Sequence, residues 1–204
     1  MRRLIIPLFC LLLLCCAPAS ARDRGVVRIG MDWGYGMDVY RYWNLIYLDS
    51  EVGYVVQDQD SEIPARPYAF FTLSAGFEPV DWMGISLFSG VMGVSTGRSL
   101  IPLGLQASFL PRGNAVAGPI FAVGVGTALN TDFSYSKASF GLLGAGWRFR
   151  LNNDWNMDLL LRGRICRDFP PIWDSENRNY VEESLIRKNF TLSGSLEFGI
   201  SISF

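Results

Sequence analysis

Nine charged residues within the regularly alternating segments of this chain lie on the face opposite to the large apolar residues of their own segment. They are Arg28, Asp32, Glu78, Arg148, Arg150, Asp158, Arg162, Arg164 and Glu197. Acids and bases that share one buried face are expected to pair, since an unpaired charge in a dry interior is costly. The set therefore predicts a network of ion pairs. A ring of charge that selects small ions in a narrow channel is the alternative interpretation.

The sequence contains no histidine, the most common general base of enzyme active sites. A serine without such a base is a poor nucleophile at neutral pH, and no Ser/Lys or Ser/Asp cluster stands out. Asp58, Asp60 and Glu62 have the spacing of half a calcium loop, but the glycine and the distal glutamate of that loop are missing. We therefore predict no catalytic residue, no metal site and no cofactor.

Aromatic residues concentrate between positions 38 and 67, and exposed aromatics are typical anchors of binding surfaces. The candidates are Tyr40, Tyr42, Trp43, Tyr47 and Tyr54. The alternative is that the neighbouring strands extend beyond the sheet as a hairpin in which these side chains pack together.

Eight segments of the chain alternate large apolar residues with small or polar ones. This period of two predicts β-strands with two different faces. The segments are 26–37, 68–78, 83–94, 100–110, 117–128, 138–151, 156–167 and 189–204.

The connections between these segments differ in length. Tight turns rich in Pro, Gly, Asn and Asp occupy 79–82, 111–114 and 152–154, whereas 38–67 and 168–188 are long. An even number of strands, with short turns at one end and longer loops at the other, is the layout of an outer-membrane barrel. Both termini then lie at the short-turn end.

Alternation alone also fits a soluble barrel or sandwich with a buried apolar face. However, the opposite face is mostly Gly and Ser, which suits the narrow interior of an eight-stranded barrel. Turned toward lipid near the midplane, each basic residue would cost roughly 2–4 kcal/mol. We therefore predict that the apolar face contacts lipid and the charged face lines the lumen.

Aromatic residues near the strand ends predict two girdles at the membrane interfaces. The girdle expected at the short-turn end is Trp82, Phe109, Trp147, Phe149, Trp155 and Phe204. The girdle expected nearer the other end is Trp33, Tyr35, Tyr68, Phe121 and Phe140.

The first 21 residues have two arginines, an apolar run from Leu4 to Cys16 and the small residues Ala19 to Ala21. This pattern predicts a secretory signal peptide cleaved after Ala21, with lipoprotein processing at Cys15 or Cys16 as the alternative. Without Arg2 and Arg3, 16 of the 18 basic residues remain against 19 acidic ones, a net charge of −3, so no nucleic-acid partner is expected. Cys166 is then the single cysteine, with the parity of a buried small residue.

Over about residues 26–204, the chain resembles the small bacterial outer-membrane β-barrel proteins of the eight-stranded families. The residues that carry the resemblance are Ala19-Ser20-Ala21 and the alternating last strand that ends in Phe204. In those families a terminal aromatic is read by the barrel-assembly machinery, so the resemblance implies an insertion signal over 191–204. Lipid A deacylases, palmitoyl transferases and proteases of this architecture use a histidine that is missing here.

The sequence thus predicts an all-β protein. A signal peptide (1–21) precedes an eight-stranded antiparallel up-and-down transmembrane β-barrel (22–204) with long outer loops 38–67 and 168–188. The expected location is the outer membrane of a Gram-negative bacterium, among its lipids. The expected role is non-enzymatic, either structural or in binding an extracellular ligand or protein through the loops. A narrow ion or small-solute channel and a lipid-modifying hydrolase or acyltransferase stay as alternatives.

Overall fold

The computed structural model describes residues 26–49, 53–94, 98–114, 116–129, 137–152, 155–174 and 178–204. The predicted signal peptide, with Ala19 and Ala21, lies outside the described residues, as do the alternative processing sites Cys15 and Cys16. The described part of the chain holds no helix with the length and apolar character of a membrane span.

The described residues form eleven strands and one 3-10 helix, Glu183–Leu185. The strands are β1 (Val26–Leu48), β2 (Val55–Glu62), β3 (Pro67–Val80), β4 (Met83–Gly93), β5 (Ser99–Phe109), β6 (Gly118–Leu129), β7 (Lys137–Arg150), β8 (Asn156–Asp168), β9 (Trp173–Asp174), β10 (Asn179–Tyr180) and β11 (Ile186–Ser203).

Eight of these strands close into an antiparallel barrel. The neighbour order is β11-β8-β7-β6-β5-β4-β3-β1, and β1 pairs again with β11, so the sheet has no open edge along the barrel wall. Gly30 pairs with Ser203 and Met37 with Leu196, which is the closure expected between segments 26–37 and 189–204. The predicted eight-stranded up-and-down barrel is confirmed.

The two faces of the wall follow the predicted parity. Leu73, Leu105 and Leu161 point outward and are half exposed, whereas the side chains of Arg148 and Arg162 point inward and are buried. A narrow barrel has no room for more than its own inward side chains, so small inward residues let the large ones fit. At Gly104 and Gly126, an added Cβ would run into the rings of Phe88 and Phe140, respectively.

Strand β1 continues well beyond the barrel wall. The register of β1 against β11 shifts between Asp38 and Tyr40, so Val39 is a bulge, and pairing then continues to Tyr47. On its other side β1 leaves β3 at Met37 and pairs with β2 from Arg41 to Leu48. Most of the segment predicted as a long loop, 38–67, is therefore a strand hairpin, as in the alternative interpretation of its aromatic residues.

Candidate functional site

Four of the predicted charged residues join at the short-turn end of the lumen. Arg148 contacts Asp158 at two points, with Nε–Oδ1 and Nη2–Oδ2 distances both of 2.7 Å. Glu78 lies between two cations, 2.8 Å from Arg28 Nε and 3.6 Å from Arg148 Nη1. The Asn114 side-chain amide also donates to Glu78. The strands β1, β3, β7 and β8 are thereby connected through the interior.

A second charged group lies nearer the middle of the barrel. Arg162 donates from Nη1 and Nη2 to the two carboxylate oxygens of Asp32, the second bond being 3.2 Å long. Glu197 lies 3.6 Å from Arg162 Nε and 3.3 Å from Arg164 Nε, and it accepts a 2.9 Å hydrogen bond from the Tyr68 hydroxyl. Each charge in this group faces an opposite one, as burial requires.

Aromatic rings close the lumen next to this second group. The Arg162 guanidinium lies 4.7 Å from the ring centre of Phe70, and that of Arg164 lies 4.5 Å from the ring centre of Tyr68. Phe88 and Phe140 are in contact, with ring centres 6.1 Å apart. The buried apolar cluster here is Phe70, Phe88, Met92, Val94, Leu100, Ala128, Ala138, Phe140 and Cys166. A flat guanidinium on a ring face is a favourable contact that excludes water.

Two small cavities of about 60 and 70 Å³ lie in the lumen on the short-turn side of these rings. Both touch Ser74, Ser86, Gln106, Asp158 and Ser201, so they adjoin each other. Cavities of this size hold a few water molecules. They are too small to form a path for a hydrated solute through the barrel.

The structure therefore brings together eight of the nine predicted lumen charges. Arg150 differs, because it is exposed at the end of β7 and its Nε donates to the Asn152 carbonyl at 3.0 Å. Three girdle assignments were wrong. Tyr68 and Phe140 point inward, and Phe121 lies at the short-turn end because it pairs with Phe109. Sequence reasoning also missed the apolar cluster, although the even parity of Phe70 and Phe140 matches that of the inward residues of their strands.

The hairpin of β1 and β2 has two different faces. On one face Arg41 contacts Glu62 at 3.2 Å and lies 5.2 Å from the ring centre of Trp43. On the other, Asn44 donates to Gln59 at 2.8 Å. Of the five aromatic candidates here, Tyr40 and Tyr54 are 44% and 45% exposed, whereas Tyr42, Trp43 and Tyr47 are partly covered by the hairpin and β11.

The other long connection, 168–188, contains the two-residue strands β9 and β10. Trp173 and Tyr180 pair across this small hairpin with ring centres 5.0 Å apart, and both remain exposed. Among the residues that the structure describes, no group of three His, Cys, Asp or Glu side chains is arranged to hold a metal ion.

Comparison with known proteins gives structural likeness at low sequence identity. No family model and no curated protein matches the chain. OprG of Pseudomonas aeruginosa is 13% identical, with 89% of this chain and 97% of that chain covered and a TM-score of 0.46. The N-terminal barrel of Pseudomonas aeruginosa OprF is 14% identical, with 89% of this chain and 100% of that chain covered and a TM-score of 0.44. The outer membrane protease OmpT of Escherichia coli is 8% identical, with 92% of this chain and 98% of that chain covered and a TM-score of 0.37.

Proposed function

We propose that this chain is a non-enzymatic barrel of a bacterial outer membrane that binds a ligand or protein outside the cell through the sheet that β11, β1 and β2 form beyond the wall. The observation that carries the proposal is the contrast between a closed lumen and this long projection. Among the described residues, the two lumen cavities are too small for a hydrated solute, whereas the projection is a large exposed surface on a rigid base.

Membrane placement is supported by the outward face of the wall. Phe149, in the girdle at the short-turn end, pairs with Met157, and Arg167 follows ten residues later on β8. Ten residues at about 3.3 Å each, tilted by about 40°, span about 25 Å, which is the height of the apolar band of such barrels. Among the described residues, the outward positions of the wall between these two levels are uncharged. Such an uncharged apolar face is suited to contact with lipid.

The girdle at the short-turn end supports the same placement. Trp82 and Phe109 meet edge to face at 5.6 Å between ring centres, and Trp155 stacks on Phe204 at 5.0 Å. Aromatic rings favour the interface between lipid and water. That Phe204 is read by the barrel-assembly machinery stays a prediction.

The projection is large enough to act as a binding surface. From Asp38 to Leu48, β1 covers ten residue steps, or about 33 Å at 3.3 Å each. It pairs with β11 on one side and with β2 on the other, so its backbone is held within a three-stranded sheet. Binding surfaces on rigid elements cost less ordering entropy than flexible loops.

Strand β2 ends the sheet, and its outer edge has no neighbour among the described residues. Asp58, Asp60 and Glu62 project from one face of β2, since they pair with Leu45, Trp43 and Arg41, respectively. Charges on an edge strand hinder aggregation with other edges. They also favour partners that carry positive charge on the side that approaches the sheet.

A trimmed barrel tests the proposal. The Asp38 amide donates to the Arg66 carbonyl at 3.1 Å, so a two-residue Asn-Gly turn can replace residues 39–65. We expect cells with the wild-type protein to adhere to surfaces coated with a cationic protein, and cells with the trimmed barrel to adhere at least tenfold less. Heat-dependent gel migration checks that both barrels fold and reach equal levels in the outer membrane.

A matched control trims the β9–β10 hairpin instead and leaves β1 and β2 intact. Adhesion that is lost only with the β1–β2 hairpin assigns the contact to the projection. If the wild-type protein does not adhere to the cationic coating, or if the trimmed barrel adheres as well as the wild type, the binding role is wrong even though the barrel is inserted.

A further inference from the structure

The lipid-facing surface of the barrel contains a groove where three neighbouring strands each turn a glycine outward. Gly141 of β7 and Gly194 of β11 both pair with Ile165 of β8, and Gly163 is the next outward residue of β8. A Cβ at Gly163 would meet no atom closer than the Leu143 carbonyl oxygen at 3.9 Å, and one at Gly194 nothing closer than Tyr40 Cβ at 3.9 Å. The three positions are thus open toward the surroundings.

The groove is open to the surroundings and has a volume of about 470 Å³. Its lining runs from Val123 and Val125 on β6 to the bulge residue Val39 on β1. Four strand spacings of about 4.8 Å give a length of about 19 Å. Leu143 and Ile165, which are 71% and 65% exposed, form ridges along it. This shape suits a flexible apolar chain.

Two cations lie beyond the groove toward the long-loop end. Arg167 is the next outward residue after Ile165 on β8, and it lies between Ser139 and Leu192 of the neighbouring strands. Its guanidinium is 5.1 Å from the ring centre of Phe190, and the Lys188 ammonium is 5.6 Å from the same ring. Within the described residues, neither cation pairs with a carboxylate.

We propose that this surface is a specific site for a phosphate-bearing lipid of the outer leaflet, with an acyl chain in the glycine groove and a phosphate between Arg167 and Lys188. The inference rests on the membrane placement proposed above. Arg167 lies about 25 Å from the girdle at the short-turn end, at the level where lipid headgroups begin. Cations that contact an aromatic ring at this level are held in a position where they can bind an anionic headgroup.

A second copy of the barrel is the other occupant that an outward groove suggests, because small residues let two backbones approach closely in lipid. In a membrane, however, two copies have the same orientation, so a two-fold axis runs along the membrane normal. The Arg167 and Lys188 side chains of both copies would then meet each other. Juxtaposed like charges disfavour that contact, whereas a phosphate is attracted to the same position.

Native mass spectrometry of the detergent-solubilised full chain tests the site with four probes. These are bis-phosphorylated lipid A, its dephosphorylated form, phosphatidylcholine and inorganic phosphate. We expect the wild type to retain bis-phosphorylated lipid A at least tenfold better than the dephosphorylated form. In the Arg167→Gln/Lys188→Gln variant this preference falls to less than twofold. In Gly163→Leu/Gly194→Leu, retention of both lipid A forms falls at least fivefold.

Two variants on other parts of the surface are matched controls. Ala75→Leu adds the same side chain to an outward position of β3, and Arg112→Gln removes a cation that lies 5.9 Å from the Trp147 ring centre at the opposite rim. Neither is expected to change lipid retention by more than twofold. Insertion into plain phosphatidylcholine vesicles tests the membrane placement separately, since it does not require the lipid site.

Three outcomes would overturn the proposal. Equal retention of all lipids by the wild type and both site variants would mean general detergent or lipid association. Full competition by inorganic phosphate would mean a simple anion site without an acyl-chain groove. A dimer mass that disappears in the groove variant, without any lipid retained by the wild type, would assign the groove to a second copy.

Discussion

Arg148 and Asp158 form a two-point ion pair between β7 and β8, with both nitrogen–oxygen distances at 2.7 Å. Both residues are buried, and Glu78 approaches the same guanidinium from β3. The contact of Glu78 with Arg148 therefore connects β3 to β7, two strands that are not neighbours in the wall. In a narrow barrel such a connection fills the short-turn end together with the small apolar cluster of Leu110, Ile120 and Leu160.

The first prediction concerns this pair. Arg148→Met should lower the free energy of unfolding by about 3–5 kcal/mol, because it leaves the buried Asp158 carboxylate without its partner. Arg148→Met combined with Asp158→Leu should recover at least half of that loss, since no unpaired charge remains. Urea unfolding in lipid vesicles, followed by tryptophan fluorescence, measures both.

Arg150→Met is the matched control, because Arg150 lies two residues further along β7 and is exposed. We expect it to change the free energy of unfolding by less than about 1 kcal/mol. A double variant at positions 148 and 158 that is as unstable as the sum of both single variants would contradict the ion-pair explanation.

A second prediction concerns conductance through the lumen. The wild-type barrel in a planar bilayer should show no conductance steps, since rings and paired charges fill the interior. Arg162→Ala should also show none, because Phe88 and Phe140 still block the lumen. A wide porin in the same bilayer serves as the positive control. Steps in the wild type that change size in Arg162→Ala would support the ion-selective gate instead.

The sequence was sufficient for the wall and the parity of its residues, because lipid outside and a narrow lumen inside impose a strict period of two. It was not sufficient for the level at which residues of different strands meet. Phe121 was assigned to the wrong girdle since its level depends on the register against Phe109, which alternation does not encode. The bulge at Val39, where the projection begins, likewise interrupts an otherwise regular pattern.

The candidate lipid site shows the same limit. The outward parity of Gly163 could be read from Leu161 and Ile165 on the same segment. That Gly141 and Gly194 both lie beside Ile165 requires the pairing of β8 with β7 and β11. The amino-acid composition does not distinguish glycines that point inward from glycines that point outward. The inward ones make room for aromatic rings, whereas the outward ones leave a groove.

The third prediction compares an inward and an outward glycine. A Cβ at Gly146 would overlap the carbonyl oxygen of Leu159, whereas a Cβ at Gly163 has open space. Gly146→Ala should therefore reduce the folded fraction at least tenfold, and Gly163→Ala should leave it within twofold of the wild type. The fraction that keeps fast gel migration without heating measures folding. Equal effects of the two substitutions would contradict the assigned faces of β7 and β8.

The fourth prediction concerns the direction of the barrel in the membrane. Tyr54 lies next to the turn of the β1–β2 hairpin and is 45% exposed, and Val116 is exposed in the connection between β5 and β6 at the opposite end. Tyr54→Cys should react with a membrane-impermeant maleimide on intact cells. Val116→Cys should react only after the outer membrane is permeabilised.

The native Cys166 should add no background labelling in the folded barrel, because its side chain is 0% exposed. The wild-type protein is therefore the background control under both conditions. The projection can contact a partner outside the cell only if the long-loop end faces outward. If Val116→Cys were labelled on intact cells and Tyr54→Cys were protected, the barrel would have the opposite orientation, with β1 and β2 in the periplasm. The proposed binding role would then be wrong, and so would the assignment of the glycine groove to the outer leaflet.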